Sequence, residues 1–460
     1  MHLVLINQYY PPDEAPTGVM LEAVAEQLVA AGHQVTVLCS AGGYAVGNRG
    51  GGRRSALYPT VESSSSSDGR RSERKAEGLS RDAGAAGHGV SVEDSSHRVV
   101  RIGATAFGRG SFVGKLLDYA GFYLGVAVWL MAPWNRYDRV VVLTTPPYLS
   151  LLARWGSKFS GADHGHWVMD LYPDVMMAHG MLKNRSFGAW MLRRLSRHGF
   201  GGKRCGFVLG LGPDMAGRID RYLTGSRQAE WIPLWGGTRV TAGGTMDKAA
   251  YRLRHERGWR DEEIVVMYSG NMGLGHRFGE ILEVVARRAR RGLSDGMRFA
   301  FFGDGKRRGE LEAFLRRYPG SGLELSGYVA GGSLEEHLGS ADLHLVSLDP
   351  SWDGTMVPSK LQGIFAAGRP ALFVGSRTSS IGRWILESGG GWVVEPGDID
   401  ALEAVLEEAA DAGERQRRGQ AAACFAAERF DRATNAARCA SLLSRREHHA
   451  AAASRPAERA

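Results

Sequence analysis

A chain of 460 residues, 43% apolar and 23% charged, is long enough for two domains with their own cores and has the balance of a soluble globular protein. Its 57 Lys and Arg against 49 Asp and Glu leave a formal charge of +8, which suits nucleic acid, an anionic membrane face or phosphorylated substrates. No DNA- or RNA-reading motif is present, so the last two lead. Cys39, Cys205, Cys424 and Cys439 lie far apart without metal-ligand spacing and read as buried thiols of a reducing compartment. The N-terminus, MHLVLINQYYPP, lacks the apolar stretch of a signal peptide, so a cytoplasmic protein is expected.

His2–Asn7 reads as a short strand, Gly18–Gly32 as a helix ending in Ala-Ala-Gly-His, and Val35–Cys39 as a second strand. That succession predicts an α/β fold with a parallel sheet and helices on its faces. Residues about 41 to 97 interrupt it with GNRGGGRRS, a run of five serines and a Gly- and Arg-rich stretch. Such composition buries too little apolar surface to offset its ordering entropy, and a flexible insertion is expected. Strands should resume at Val99–Ile102, Arg139–Leu143, His166–Asp170 and Gly206–Gly210. Between the first two lies the most apolar segment, Phe112 to Trp134, whose continuous core is shorter than the roughly 20 residues of a bilayer span. With Arg109 and Lys115 beside it, this segment suits a helix at a membrane surface, and equally a helix covering the sheet.

The second half restarts the pattern, with strands expected at Ile264–Ser269, Phe299–Phe302, Leu323–Leu325, Leu343–Leu348, Ala371–Val374 and Trp392–Val394. Two doubly wound, Rossmann-like domains result: 1–232, and 233–410 with its start between Trp231 and Glu263. Helices over 411–446 should pack back toward the first domain, and 447–460 should be a disordered tail.

Ligands of parallel α/β sheets bind at the carboxyl ends of the strands, and the glycine-rich turns fall there. Gly18 opens the first helix. Gly270, Asn271, Gly273 and Gly275 follow one strand, with His276 and Arg277 adding charge, and Gly303-Asp304-Gly305-Lys306 follows another. Val357-Pro358-Ser359-Lys360 then brings a hydroxyl, a cation and free N–H groups to a helix start, an arrangement suited to a diphosphate. Neither a P-loop nor a dinucleotide-binding fingerprint is present.

In order and spacing, YYPPDEAPTG, AEQLVAAGHQVTV, DLYPD, YSGNMGLGH, FFGDGK, LSGYV, ADLHLVSL, VPSKLQGIFAAGRP and ESGGGWVVEPGD resemble the family 4 glycosyltransferases of GT-B fold over nearly the whole chain. DLYPD, SGNMG and VPSK narrow this to the subgroup that builds bacterial O-antigen, capsule and colanic-acid-type polysaccharides. The resemblance implies a retaining transfer of a hexosyl or N-acetylhexosaminyl unit from a nucleotide-diphosphate sugar, UDP foremost, to a lipid-linked saccharide. It also implies no cofactor, no metal, and a peripheral position on the inner face of the cytoplasmic membrane. By this mapping Gly18, Asn271, Arg277, Ser359 and Lys360 serve the diphosphate. Gly270, Gly273, Gly303, Asp304, Thr355, Val357 and Pro358 form the donor pocket.

The chain departs from the family in two places. Thr355 and Gly363 stand where many members carry paired glutamates, leaving Asp353 as the nearby substitute or as a plain turn residue. Met169 stands where many have histidine. Asp170 is kept, to contact the donor sugar or acceptor or merely to cap a turn. Asp170 and Asp353 are therefore the catalytic candidates. A nucleotide-sugar 2-epimerase shares the architecture but needs proton-transfer groups not evident here; a noncatalytic nucleotide-sugar-binding homologue is the remaining alternative.

Overall fold

The computed structural model describes residues 1–13, 15–41, 60–64, 97–102, 112–236, 248–292, 296–329 and 334–446. Arg109, the tail from 447 and most of the 41–97 insertion lie outside them.

The first domain runs β1 (His2–Ile6), α1 (Pro16–Ala30), β2 (Gln34–Ser40), β3 (Thr60–Ser64), β4 (His97–Ile102), α2 (Phe112–Met131) and β5 (Arg139–Val142). It continues with α3 (Leu149–Ser160), β6 (Asp163–Trp167), α4 (Asp174–Ala178), α5 (Phe187–Phe200), β7 (Cys205–Gly210), α6 (Pro213–Ile219) and β8 (Glu230–Trp231). Its eight strands lie in the order β3-β4-β2-β1-β5-β6-β7-β8. All neighbours are parallel except β3, which pairs antiparallel with β4. β3 is an addition to the expected strands, since it sits inside the Ser- and Arg-rich insertion, whose composition hides it.

The second domain holds α7 (Lys248–Glu256), β9 (Ile264–Ser269), α8 (Gly279–Arg290), β10 (Met297–Phe302), α9 (Arg308–Arg317), β11 (Leu323–Ser326), α10 (Leu334–Gly339) and β12 (Leu343–Ser347). Then follow α11 (Lys360–Ala366), β13 (Ala371–Val374), α12 (Ser380–Ser388), β14 (Gly391–Val394), α13 (Ile399–Glu408), α14 (Ala412–Arg429) and α15 (Arg432–Ser444). Its sheet is wholly parallel, in the order β11-β10-β9-β12-β13-β14.

Both sheets are covered on two faces, so their central strands are near-continuous apolar runs and not alternating ones. In β1, Leu3 and Leu5 face one layer, while Val4 and Ile6 face the layer of α2 and α3. The helices of the last quarter start where a side chain can cap them: Asp398, Asp411 and Asp431 accept from Ala401, Glu414 and Thr434 N–H groups at 2.8–3.0 Å. Each such cap stabilises its helix by about 1 kcal/mol.

Two elements differ from the sequence expectation. β6 begins at Asp163, three residues early, because His164 and His166 look polar in sequence yet are buried. Just beyond its end, Met169 and Asp170 instead donate their N–H groups to Thr144 Oγ1 at 3.1 and 3.0 Å. α2 covers the sheet with one face and leaves apolar side chains exposed on the other. Phe122, Val126, Trp129 and Leu130 pack on the sheet, whereas Leu117, Leu124, Val128 and Met131 are exposed. Among the described residues no helix is long and apolar enough to cross a membrane.

The chain closes on itself through α15, which lies against α1. Arg139 of β5, fully buried, donates from Nη1 to the carbonyls of Leu443 and Arg445 at 2.8 Å and thereby caps the end of α15. Arg139→Met leaves those carbonyls without a charged donor. The expected loss is about 2–4 kcal/mol of stability, with residues 432–444 losing amide protection before the sheets in hydrogen exchange; unchanged protection there would contradict this role.

Candidate functional site

The two domains meet at the carboxyl ends of their strands. Leu171 N–H, past β6, donates to the Thr355 carbonyl, past β12, at 2.8 Å. Asp214, at the start of α6, accepts from Ser380 N–H at 3.0 Å and from the Ser380 hydroxyl, so a carboxylate of the first domain caps α12 of the second. His179 and Trp352 meet edge-to-face across the same junction, with centroids 4.5 Å apart.

On the second-domain side, the turns after β9 and β10 are stacked backbone on backbone. Gly270 has φ 130°, Gly303 131° and Gly305 148°, a region that glycine alone occupies without strain. A Cβ at Gly303 would overlap the Gly270 carbonyl, and one at Gly305 would stand 2.5 Å from the Met272 carbonyl oxygen. Under these turns lies Lys360, whose Cε would be 2.7 Å from a Cβ at Gly270. Its ammonium donates to Tyr268 Oη at 2.7 Å, His276 Nε2 at 3.0 Å and the Asn271 carbonyl at 3.3 Å, and stands 4.4 Å from the Tyr268 ring centroid. His276 Nδ1–H donates to the Ser347 carbonyl at 2.7 Å, which leaves Nε2 as the acceptor for the lysine. Every partner is neutral. Burial without a carboxylate pulls the Lys360 ammonium down to about 7 and holds His276 neutral, at about 3.

Beside Lys360 opens a cavity of about 340 Å³, lined also by Ser269, Gly270, Ser359, Tyr328 and His337. Arg257 donates to His337 Nδ1 at 2.7 Å, so the opposite nitrogen, Nε2–H, donates to Ser269 Oγ at 2.9 Å; the ring is neutral and fixed. Tyr328 is 62% exposed at the rim. The volume and the mixture of glycine backbone, hydroxyls and one cation suit a polar ligand bearing an anion.

The structure brings some of the expected residues together and separates others. Gly270, Ser359 and Lys360 line the cavity, and Gly363 lines it too. Asn271, Gly273, Gly303 and Asp304 belong to the stacked turns, joined by the Met272 N–H to Asp304 carbonyl bond at 2.8 Å. Gly18 does not line the cavity; it packs in the first turn of α1, where a Cβ would sit 3.0 Å from the Tyr9 carbonyl oxygen. Val357 and Pro358 are buried under the loop. Thr355 is fully buried, with its hydroxyl donated to the Trp352 carbonyl at 2.7 Å, so it shapes a turn and offers no side chain to a ligand. Arg277 is spoken for by Glu280 and by Asp349 at 2.9 Å, in contrast to Lys360.

The two acidic candidates occupy different surroundings. Asp170 stands at the end of β6, and burial pushes its carboxyl up to about 6. Asp353 stands at the domain junction, pushed up to about 6 by burial and by Asp214, and its Oδ1 has no hydrogen-bond partner. They do not perturb one another. Tyr268, Tyr328 and His337 escaped the sequence reading, and His276, expected there to add charge, is instead neutral and a partner of Lys360. Tyr268, His276 and Tyr328 lie within quoted motifs, but only the fold shows that two of them hold Lys360 and one borders the cavity.

No family model matches the chain. Over 288 residues, 61% of the chain and 68% of the relative, it is 26% identical to the probable glycosyltransferase WbjE of Pseudomonas aeruginosa. Among solved structures it superposes, over 96% of its length, on 98% of the sucrose-phosphate synthase of Thermosynechococcus elongatus, with a TM-score of 0.64 at 14% identity. It also matches 99% of WaaG, a glycosyltransferase involved in lipopolysaccharide biosynthesis, with a TM-score of 0.61 at 15% identity. The Anabaena HepE complex with UDP-glucose is covered to 99%, with a TM-score of 0.64 at 12% identity. Two sheets meeting at their strand ends and these superpositions give the chain a GT-B fold, and its likeness to WbjE and WaaG is consistent with a family 4-like glycosyltransferase.

Proposed function

We propose that the chain transfers a sugar, with retention of anomeric configuration, from a UDP-sugar to a lipid-linked saccharide during cell-surface polysaccharide assembly. The observation that carries this reading is a half-buried ammonium with only neutral partners beside a polar cavity. A diphosphate supplies the missing negative charge, and the attraction strengthens as charge builds on the leaving group. α11 has only seven residues, so the lysine, more than a helix dipole, bears the positive charge. Ser359 and the Asn271–Gly273 turn offer polar groups around the phosphates, and the nucleoside extends toward Tyr328. Arg277, already neutralised, acts by holding Asp349 and Glu280. Lys306, on the turn after β10, makes no ion pair among the described residues and adds to burial in lowering the His179 pKa, so it supplies a second cation. Asp170 contacts a hydroxyl of the donor sugar or acceptor. The HepE complex with UDP-glucose and the lipopolysaccharide role of WaaG support the donor and pathway class.

Thermal shift with UDP-, GDP- and dTDP-sugars, followed by transfer to acceptor lipid and NMR of the anomeric linkage, tests the whole reading. A bound UDP-sugar at a hundredfold excess over Kd should stabilise by about 2.7 kcal/mol; no binding of any nucleotide sugar, or an inverted product, would overturn it. Transfer should proceed without added Mg²⁺ or Mn²⁺.

Lys360→Ala is expected to cost on the order of 10²-fold in turnover, and Arg277→Ala distinctly less. The lysine also sets a pH dependence. Bound diphosphate raises its pKa from about 7, so UDP affinity is full below that value and falls as pH rises through it, by up to about tenfold per unit. Calorimetry in two buffers should register proton uptake near pH 8 in the native protein and none in Lys360→Ala. Equal proton uptake in both would assign the titration elsewhere.

The outer face of α2 supports a peripheral membrane site. Leu124 is 66% exposed, Trp134 81%, and Phe159 of the adjoining α3 64%, with Lys158 next to it. Apolar insertion plus attraction of basic residues to anionic lipid would hold such a face in the interface. Leu124→Ser with Trp134→Ser and Phe159→Ser should leave Tm nearly unchanged and weaken binding to anionic vesicles, as should high salt. Phe122 and Trp129 are core, and replacing them would report on folding instead.

A further inference from the structure

The geometry points to a metal site in the first sheet, formed by His164, His166 and Cys205 and sharing no residue with the cavity beside Lys360. On a strand, His-x-His aims two imidazoles at one face. Cys205 opens β7 as the register partner of His164, and the pairing slips at the next step, so that Gly165 faces Phe207. That bulge turns Phe207 to the other side and leaves the thiol with the histidines. One ligand atom from each residue lies within 4.8 Å of the other two, and all three side chains are buried.

The imidazoles are prepared as ligands. Ser157 Oγ donates its one proton to the Arg154 carbonyl at 2.8 Å, so toward His164 Nδ1, 3.0 Å away, it can only accept. His164 therefore carries its proton on Nδ1 and presents the Nε2 lone pair inward, the outer-sphere hydrogen bond that orients metal-binding histidines. That Nε2 and both ring nitrogens of His166 have no hydrogen-bond partner. The Gly201 and Gly199 carbonyls approach the two rings without a bond of normal geometry. Cys205 Sγ makes a long 3.7 Å contact to the Phe207 carbonyl, which coordination would replace.

Two imidazoles and a thiolate suit Zn²⁺. The thiol proton leaves to solvent as the zinc–sulfur bond forms. A small cavity of about 20 Å³ borders His166, though not His164 or Cys205.

Native protein grown with zinc and dialysed against metal-free buffer should retain about one zinc per chain by elemental analysis. X-ray absorption at the zinc edge should show one sulfur and two imidazole nitrogens, a readout needing no variant. Co²⁺ should add a thiolate charge-transfer band that Cys205→Ser abolishes. Ser157→Ala, outside the ligand set, should weaken zinc by about 10–100-fold. Absence of stoichiometric metal, or a shell of oxygen and nitrogen without sulfur, overturns the proposal and leaves a buried water or the glycine carbonyls to satisfy the histidines. None of these readouts depends on sugar transfer.

Discussion

The rest of the site depends on how closely two backbone turns approach one another. Gly303 and Gly305 lie against the carbonyls of Gly270 and Met272, at a separation no side chain could enter. That contact clamps the ends of β9 and β10 together, locks the Asn271 carbonyl and Tyr268 in place, and leaves under Gly270 a channel the width of a lysine stem. Lys360 fills the channel. Its ammonium is desolvated yet unneutralised, which is costly in the empty protein and favourable once an anion arrives. The glycines thus determine where positive charge stands and how strongly it responds to a ligand.

A second constraint governs the opposing half. Directional bonds join the domains at their strand ends: a backbone hydrogen bond from Leu171 to Thr355, the Asp214 cap on Ser380, and the His179–Trp352 ring pair. These bonds fix orientation, and a continuous buried apolar cluster runs beside them from Trp167, Leu171 and Met215 of the first domain to Trp352, Ile381 and Trp384 of the second. The return of the chain adds a further connection. α14 packs on α11 in the second domain and α15 on α1 in the first, with Arg139 capping the end of α15. The C-terminal helices therefore tether the two bodies a second time.

Much of this was legible before any coordinates. Parallel strands buried on both faces are apolar runs, and runs such as Ile264–Ser269 and Ala371–Val374 coincide with β9 and β13. Glycine turns and the Pro-Ser-Lys helix start mark strand ends, where ligands of this architecture bind. Less visible were β3, concealed in a polar insertion, and the first half of β6, concealed by buried histidines. A buried polar side chain carries no sign of its burial in a one-dimensional pattern, because that depends on partners far along the chain.

The site residues divide along the same line. Local sequence determined the two-domain parallel architecture and the turns that must be glycine, since both follow from periodicity and backbone sterics within a few residues. Charge balance was decided only by the tertiary structure. Arg277 and Lys360 look equivalent as cations beside glycine turns, yet one meets Glu280 and Asp349 and the other meets only neutral groups. Likewise Cys205 lies about 40 residues from His164 and His166 in the chain and converges on them only because β6 and β7 pair with a bulge. Coulomb energy and ligand geometry depend on separation in space, and the fold alone sets that.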